Sequence, residues 1–527
     1  MTVISRLRAP TSILLKRRLT ASRNSHGLPL AASLSARWLS NDTAAASNEG
    51  ARYSDVLIVG GGVVGCALAR QLNQRLPSLS VHLVEARDAP TSKPASSNEI
   101  PHPRSYALSP QSLDILGLLS SEETTSDEMA NQDVKLGWYD AMQIWEARNP
   151  ATLRFHADDL PFDEAKLDRP KMLGAVVEDG PLVRALWEKL ESHPQTTIST
   201  NTTVQDLQLS SNGQGVVTVE TSDNEIHQTR LLVAADGAQS PIRQRLGVKQ
   251  AQWDYGRQAL TFTVELSQDD RIPRTAYQRF IHGQEAGRGP LALLPTHSPR
   301  HAIVVWSTTP EMVKKWKETD DNNALIDHLQ NLLQTGPQRL PPLVESKPGQ
   351  VPPLLSNVLF GVERLLETVQ DAGAMLAATN SRSWMAPPKL SKIVSPKLSF
   401  PLACRNVGQY HHASNRVVLV GDAAHTVHPM AGQGLNLGLG AVESLVESIV
   451  ESEAVGMDVT YGLDSFLRKR HAANSSVIMG IHALHEIFAV QDNVPLMHAK
   501  SFGMNVMQQV GPLRRRIVQA ATQGVVF

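Results

Sequence analysis

The sequence predicts an α/β protein: a Rossmann-like dinucleotide-binding domain, a mixed β-sheet domain inserted into it, and a helical C-terminal tail. Three observations carry that prediction. Asp55–Glu85 reads as a strand, a glycine turn, a helix and a second strand. Alternating apolar and polar residues run through 139–155 and again through 259–309. The chain from 461 to 527 has a helical pattern.

The first stretch is the most informative. Val56–Val59 is an apolar run of the length of one buried parallel strand. Gly60-x-Gly62-x-x-Gly65 follows at once, and Ala67, Leu68 and Leu72 then recur at helical spacing. One glycine permits the tight turn, the next lets a pyrophosphate approach the backbone, and the third lets helix pack on strand. The helix N-terminus offers free N–H groups and the positive end of its dipole. A second apolar run, Val81–Val84, ends on Glu85, placed to accept hydrogen bonds from an adenosine ribose. These residues alone leave FAD and NAD(P) open, although an acid at Glu85 disfavours a 2′-phosphate.

Downstream, residues 86–102 read as a loop over the cofactor. Arg104–Leu108 leads into a helix running to Leu119, with Ser109 as N-cap and Pro110 at the first helical position. Arg104 has two readings, neutralising a pyrophosphate or lying on the surface. Residues 120–133 are acidic and polar, a solvated segment. Tyr139–Phe155 alternates as strands of a second, antiparallel sheet, Leu182–Leu190 is one helix face, and Val216–Glu220 with Ile226–Ala235 forms a hairpin. Asp236-Gly237 closes the last of these strands. Segments Ala259–Leu266, Ala276–Ile281, Leu291–Pro295 and Ala302–Thr308 form one face of a mixed sheet able to wall a substrate pocket. Residues 310–400 read as helical with proline breaks, and Leu354–Leu376 as one or two amphipathic helices. Arg416–Val420 is another buried strand, followed by Gly421-Asp422, Pro429, Gly432-Gln433-Gly434 and a long helix.

Bulk properties set limits. At 527 residues, 41% hydrophobic and 19% charged, the chain is long enough for two or three domains around a large core. A net charge of −1 gives no general attraction to nucleic acid or to an anionic membrane. Two cysteines, Cys66 and Cys404, and no CxxC argue against a disulfide framework or a zinc site, so no metal is expected. No run of 18 apolar residues occurs. Residues 1–41 carry Arg6, Arg8, Lys16, Arg17, Arg18, Arg23 and Arg37 with no acid before Asp42, the composition of a mitochondrial transit peptide. Arg514–Arg516 reads as a solvated helix face rather than a docking site.

The three fingerprints matter in combination. GGGVVG, VAADGAQSPIRQRLG and VVLVGDAAHTVHPMAGQGLNLGLGAVESL resemble those of the single-component FAD-dependent aromatic hydroxylases, the para-hydroxybenzoate hydroxylase group, over most of 52–450. RSYALS at 104, WDYGRQAL at 253–260, LALLP at 291–295 and VVWST at 304–308 are similar to the ubiquinone-biosynthesis branch, and the transit peptide to its mitochondrial members. At Glu178-Asp179-Gly180 the chain departs from the family, where Asn often follows the Glu.

The resemblance implies FAD as cofactor. It implies FAD-binding segments at 52–135, 166–248 and 406–455, substrate-domain segments at 136–165 and 249–405, and a helical region at 456–527. Gly60, Gly62 and Gly65 would cradle the pyrophosphate and Glu85 the ribose. Arg104 would approach the flavin or phosphates, Asp236 and Gly237 the pyrophosphate, and Asp422, after Gly421, the ribityl chain. Gln433 and Gly434 would start the helix aimed at the flavin. His425, Pro429 and Gly432 would form the candidate catalytic set on the flavin-ring side. His425 and His428 are candidate bases by proximity, against a purely structural role. The implied reaction hydroxylates a polyprenylated hydroxybenzoate or phenol with O₂, through a flavin C4a-hydroperoxide. An apolar tunnel for the prenyl tail is expected between the 259–309 sheet and the 354–376 helices. The implied partners are ferredoxin and ferredoxin reductase as electron donors, other ubiquinone-biosynthesis proteins, and the matrix face of the inner membrane as a peripheral contact. Competing readings are a prenyl-lipid reductase, a halogenase, an FAD-retaining scaffold subunit and a plain NAD dehydrogenase.

Overall fold

A seven-stranded sheet forms the dinucleotide-binding half of the molecule. The computed structural model describes residues 50–91, 100–119, 134–146, 149–160, 171–209, 215–267, 274–282, 289–340, 384–410, 416–428, 432–489 and 493–523. The sheet runs in the order Thr196–Ser199, Val81–Val84, Arg52–Val59, Ile226–Ala234, Val217–Thr221, Val204–Gln208, with Val417–Leu419 beside the end of Ile226–Ala234. Its central pairings are parallel, and the expected hairpin at 217–229 is antiparallel. Val56, Leu57 and Ile58 are fully buried, as a central parallel strand covered on both faces must be. The helix Val63–Arg75 packs between Asp179–Glu191 and Gly434–Ala454.

A nine-stranded sheet forms the second half. Its order is His425–Thr426, Leu398–Val407, Gln250–Leu266, His301–Thr308, Gly289–Pro295, Thr275–Ile281, Ala141–Glu146, Thr152–His156, with Leu390–Ile393 also on Gln250–Leu266. The sheet is mixed, because Ala141–Glu146 runs parallel to Thr275–Ile281 and antiparallel to Thr152–His156. The expected wholly antiparallel reading of 139–155 is therefore corrected. Leu136–Tyr139 joins instead a small sheet with Ser105–Leu108 and Gly174–Glu178.

Two further expectations change. The helix after Ser109 ends at Ile115, not at Leu119. Gly117 there takes φ +68°, and the Arg70 guanidinium occupies the place a Cβ would need while donating to the Ile115 carbonyl at 3.2 Å. Among the described residues, the helical reading of 310–400 holds for Pro310–Glu318 and Asn322–Gln334 only. Leu390–Ile393 and Leu398–Val407 are strands. The 17-residue strand Gln250–Leu266 offers them a long edge, and Pro396 bars a continuous helix. Leu354–Leu376 and 120–133 lie outside the described residues, as do residues 92–99 of the expected 86–102 loop.

The tail forms three helices, Leu463–Ala489, Val494–Gln509 and Gly511–Gln523. Asn493 caps the second by accepting from the Leu496 N–H at 3.0 Å. No helix among the described residues is long and apolar enough to cross a membrane.

Candidate cofactor and substrate site

The carboxyl ends of the parallel strands open into one cavity of about 1920 Å³. That is roughly twice the upper end of ordinary small-molecule clefts. The three fingerprints converge at one end of it. Gly60 has φ +113°, and a Cβ there would lie 2.3 Å from the Ala235 carbonyl oxygen. A Cβ at Gly65 would lie 1.9 Å from the Gly60 carbonyl oxygen. Gly62 faces open space and caps Val63–Arg75 with no side chain, so the leading N–H groups are free to meet an anion.

Glu85 braces this turn. One carboxylate oxygen accepts from the Gly61 N–H at 2.6 Å, and the other from the Arg87 N–H and Nε at 3.1 and 2.8 Å. Trp187 Nε1 donates to the Gly61 carbonyl at 2.9 Å on the opposite side. Asp236 stands across the mouth, its Oδ2 accepting from the Ile242 N–H at 3.2 Å. Its Oδ1 is buried with no hydrogen-bond partner. Burial pushes its pKa up, against the Ser240 hydroxyl, the Ile242 N–H and the Arg243 charge. Gly237, at φ +82°, also lines the cavity.

The third fingerprint supplies the facing wall. Gly421 takes φ +59° and packs, like Gly438, against Val64. Asp422 points into the cavity, where burial raises its pKa and the Arg405 charge opposes the shift. Gly432 (φ +61°), Gln433 and Gly434 line the cavity, and the helix Gly434–Ala454 begins without a side-chain cap. Asn436 accepts from the Ser109 N–H at 2.9 Å and donates to the carbonyls of Ala107 and Gly432 at 3.1 and 2.9 Å. It thus staples this loop to the strand Ser105–Leu108. Sequence reasoning missed it, although its place one turn after Gly432 was a usable signal.

Arg104 sits at the cavity mouth, paired with Asp179 at 2.9 Å, whose other oxygen accepts from the Tyr106 hydroxyl at 2.7 Å. The residue that departs from the family, Asp179 after Glu178, therefore has a job: it holds Arg104.

The candidate catalytic set separates. Gly432 is on the cavity wall, and Pro429 lies outside the described residues. His425 is 1% exposed, stacked on Tyr410 at 5.8 Å, and does not line the cavity. Burial, with the Arg470 charge, pushes its pKa down to about 3. The catalytic expectation for His425 is not met by this position in the core. His428 is also buried, but its Nε2 lies 3.2 Å from the hydroxyl of Ser307, which does line the cavity. Burial, then the charges of His485 and Arg257, depress it to about 3, so it is neutral at physiological pH.

Away from the fingerprints the lining turns apolar. Ile144, Leu153, Phe155 and Phe280 face it from the nine-stranded sheet. The described wall opposite is the C-terminal tail, which contributes Phe488, Met507 and Val518 among others, while the expected 354–376 wall lies outside the described residues. The solvated-face reading of Arg514 is corrected: only 5% exposed, it pairs with Asp159 at 3.0 Å and donates to the Gln508 carbonyl at 2.5 Å. Arg515 and Arg516 are exposed.

Comparison with known proteins bears on this geometry. A family model described as an FAD binding domain matches residues 53–347 and 376–480. The mitochondrial ubiquinone biosynthesis monooxygenase COQ6 of Drosophila melanogaster is 28% identical over 477 residues, covering 89% of this chain and 90% of that protein. Its Caenorhabditis elegans and Homo sapiens counterparts are 26% and 25% identical, covering 88% and 89% of this chain and 94% and 92% of theirs. Among solved structures, p-nitrophenol 4-monooxygenase PnpA from Pseudomonas putida superposes with a TM-score of 0.57 at 16% identity, over 90% of this chain and 98% of that one. PqsL, a probable FAD-dependent monooxygenase from Pseudomonas aeruginosa, gives 0.57 at 18% identity, over 86% of this chain and 100% of its own. At such identities these two likenesses speak for the fold.

Proposed function

The chain belongs to the FAD-binding-domain family, and from that membership we propose that it is an FAD-dependent monooxygenase hydroxylating the aromatic ring of a polyprenylated phenol in ubiquinone biosynthesis. The observation that carries this reading is the continuity of one cavity, with a phosphate-binding turn at one end and an apolar chamber at the other. A soluble phenol would not require the second end.

The residues fit FAD. The open face at Gly62, the uncapped starts of Val63–Arg75 and Gly434–Ala454, and the unpartnered Oδ1 of Asp236 leave backbone donors and a side-chain acceptor for a bound group. When bound, FAD supplies the electron transfer and the activation of O₂. In this reading Gly60, Gly62 and Gly65 let the pyrophosphate reach the first helix, and Glu85 accepts from the ribose. Asp236 and Gly237 approach the pyrophosphate, Arg104 screens its charge, and Asp422 accepts from the ribityl chain. Gln433 and Gly434 begin the helix whose positive end stabilises negative charge on the flavin ring. Gly432 gives the ring a close, side-chain-free approach. His428 orients the Ser307 hydroxyl toward the phenol. The two sheets exclude water from the ring.

The named relatives are mitochondrial, and we read this chain as mitochondrial too, with residues 1–41 as transit peptide. A place on the matrix face of the inner membrane and reduction by ferredoxin extend that reading. Removing 1–41 should abolish import into isolated mitochondria, and unchanged import refutes the transit peptide.

The decisive experiment reduces the purified yellow chain anaerobically, then admits ¹⁸O₂ with a prenylated 4-hydroxybenzoate. The expected product carries one ¹⁸O on the ring. A product gaining two hydrogens without O₂ uptake makes the chain a prenyl reductase. No product with any donor makes it a scaffold.

A further inference from the structure

One wall of the far end of the cavity is built by residues beyond the family match. That match stops at 480, yet Ile481, Leu484, Phe488, Met507, Ile517 and Val518 all line the cavity. They come from the three C-terminal helices: Ile481 packs near Cys404 and Leu437, whereas Phe488, Met507, Ile517 and Val518 pack with the last strands of the nine-stranded sheet. Those strands lie five to seven strand spacings from His425–Thr426, the strand beside the flavin loop. At ~4.8 Å per strand that is roughly 24–34 Å measured across the sheet.

The helices are seated by specific contacts. Phe488 stacks on Phe280, ring centroids 3.8 Å apart and 7° from parallel. Phe280 pairs across strands with Glu146, and the Lys500 ammonium binds the Glu146 carboxylate beside them. Farther along, Arg514 pairs with Asp159, and the Gln508 side-chain carbonyl accepts from the Arg154 N–H at 2.9 Å. Buried ion pairs contribute little net stability compared with apolar packing, but they tolerate only one alignment. A close-packed interior would leave no space between these elements. Here the apolar side chains that pack together also line the cavity that reaches the cofactor end, and such a lining takes an apolar ligand in preference to water.

We propose that the C-terminal helices select the substrate by its chain. They receive the apolar substituent of the ring, and Met507, Ile517 and Val518 are the stop against which its end packs. This rests on the monooxygenase reading for the identity of the ring, while the selection itself is a statement about binding.

The test uses the flavin-loaded full chain and 4-hydroxybenzoates bearing no chain, two isoprene units or six at the ring carbon beside the hydroxyl. Binding is read from perturbation of flavin absorbance, with turnover followed separately. Wild type should bind the six-unit probe at least tenfold more tightly than the chainless one. Val518→Phe should cut that ratio by tenfold or more. Met507→Ala, which adds space and removes only a methionine end, should raise the preference for six units over two. Flavin content and thermal midpoint report whether each variant is folded. Indifference of wild type to chain length overturns the inference, and so does an equal effect of Val518→Phe on all three probes, or an unchanged ratio in both variants. If chain-dependent binding holds and nothing is hydroxylated, the selection by the helices stands and the monooxygenase reading falls.

Discussion

The two ends of the cavity are built in different ways. At the cofactor end, backbone does most of the work: Gly60 and Gly65 let main chain approach main chain, Gly62 leaves open space, Gly421 and Gly432 take positive φ, and uncapped helix starts present N–H groups. At the chamber end, side chains do it, and they come from far apart. Glu146 and Lys500, which clamp tail to sheet, are 354 positions apart in the chain. At Gly60 and Gly65 the first kind of site is intolerant of a single added methyl. The second is tolerant in composition but dependent on how separate elements dock.

The largest break should come from Gly65→Val. Its Cβ would fall on the Gly60 carbonyl, where backbone cannot give way, and flavin content per folded protein should drop at least about tenfold. Full yellow occupancy in that variant would refute the backbone account of the cofactor end. Next, Lys500→Met leaves Glu146 buried with its ammonium gone. Breaking such a pair from one side costs about 3–5 kcal/mol, whereas replacing both partners by apolar residues is close to neutral. The thermal midpoint should therefore fall in Lys500→Met and largely recover in Glu146→Leu/Lys500→Met. A double variant as unstable as the single would mean that the clamp stabilises rather than aligns.

Acid should separate the two ends. Burial, with the charges of His227 and Arg52, lowers the His82 pKa from 6.5 to about 4 on the central sheet. The unfolded chain then binds a proton that the folded chain refuses, so stability is lost as pH falls from 6.5 to about 4 and levels off below. The loss attached to His82 is about 3 kcal/mol at 1.36 kcal/mol per unit. Glu146 behaves oppositely in range. Burial alone would raise its pKa, but the hydrogen bonds and charges of His282 and Lys500 prevail and lower it from 4.5. Its contribution persists until the pH drops below 4.5 and through that lowered value. Unfolding followed at pH 5.5 should thus show a weakened cofactor half with the tail clamp intact, and His82→Gln should flatten the profile. A profile unchanged by that substitution rejects His82 as the source. The smallest effect belongs to His428→Asn, which loosens one hydrogen bond to Ser307. A bond of that kind is worth about 0.5–1.5 kcal/mol, so kcat should fall roughly two- to tenfold with flavin content unchanged. An unaltered kcat removes Ser307 orientation from the account.

By itself the sequence determined the parallel core, the phosphate turn, the hairpin at 217–229 and the turn-bearing glycines around Asp236 and Asp422. Each of these depends on residues within a few positions of one another, and a backbone that must turn sharply or touch a ligand leaves glycine where no other residue fits. Tertiary structure alone decided that 390–407 would be strand, that His425 would face the core, that Asp179 would hold Arg104, and that the C-terminal helices would wall the chamber. These outcomes depend on which surfaces meet across hundreds of residues. Apolar side chains are nearly interchangeable in pattern, and helical spacing says that a face will be buried without saying against what. Arg514 shows this most sharply: three consecutive arginines read as a solvated face, and docking against Asp159 buried the first of them while leaving Arg515 and Arg516 in water.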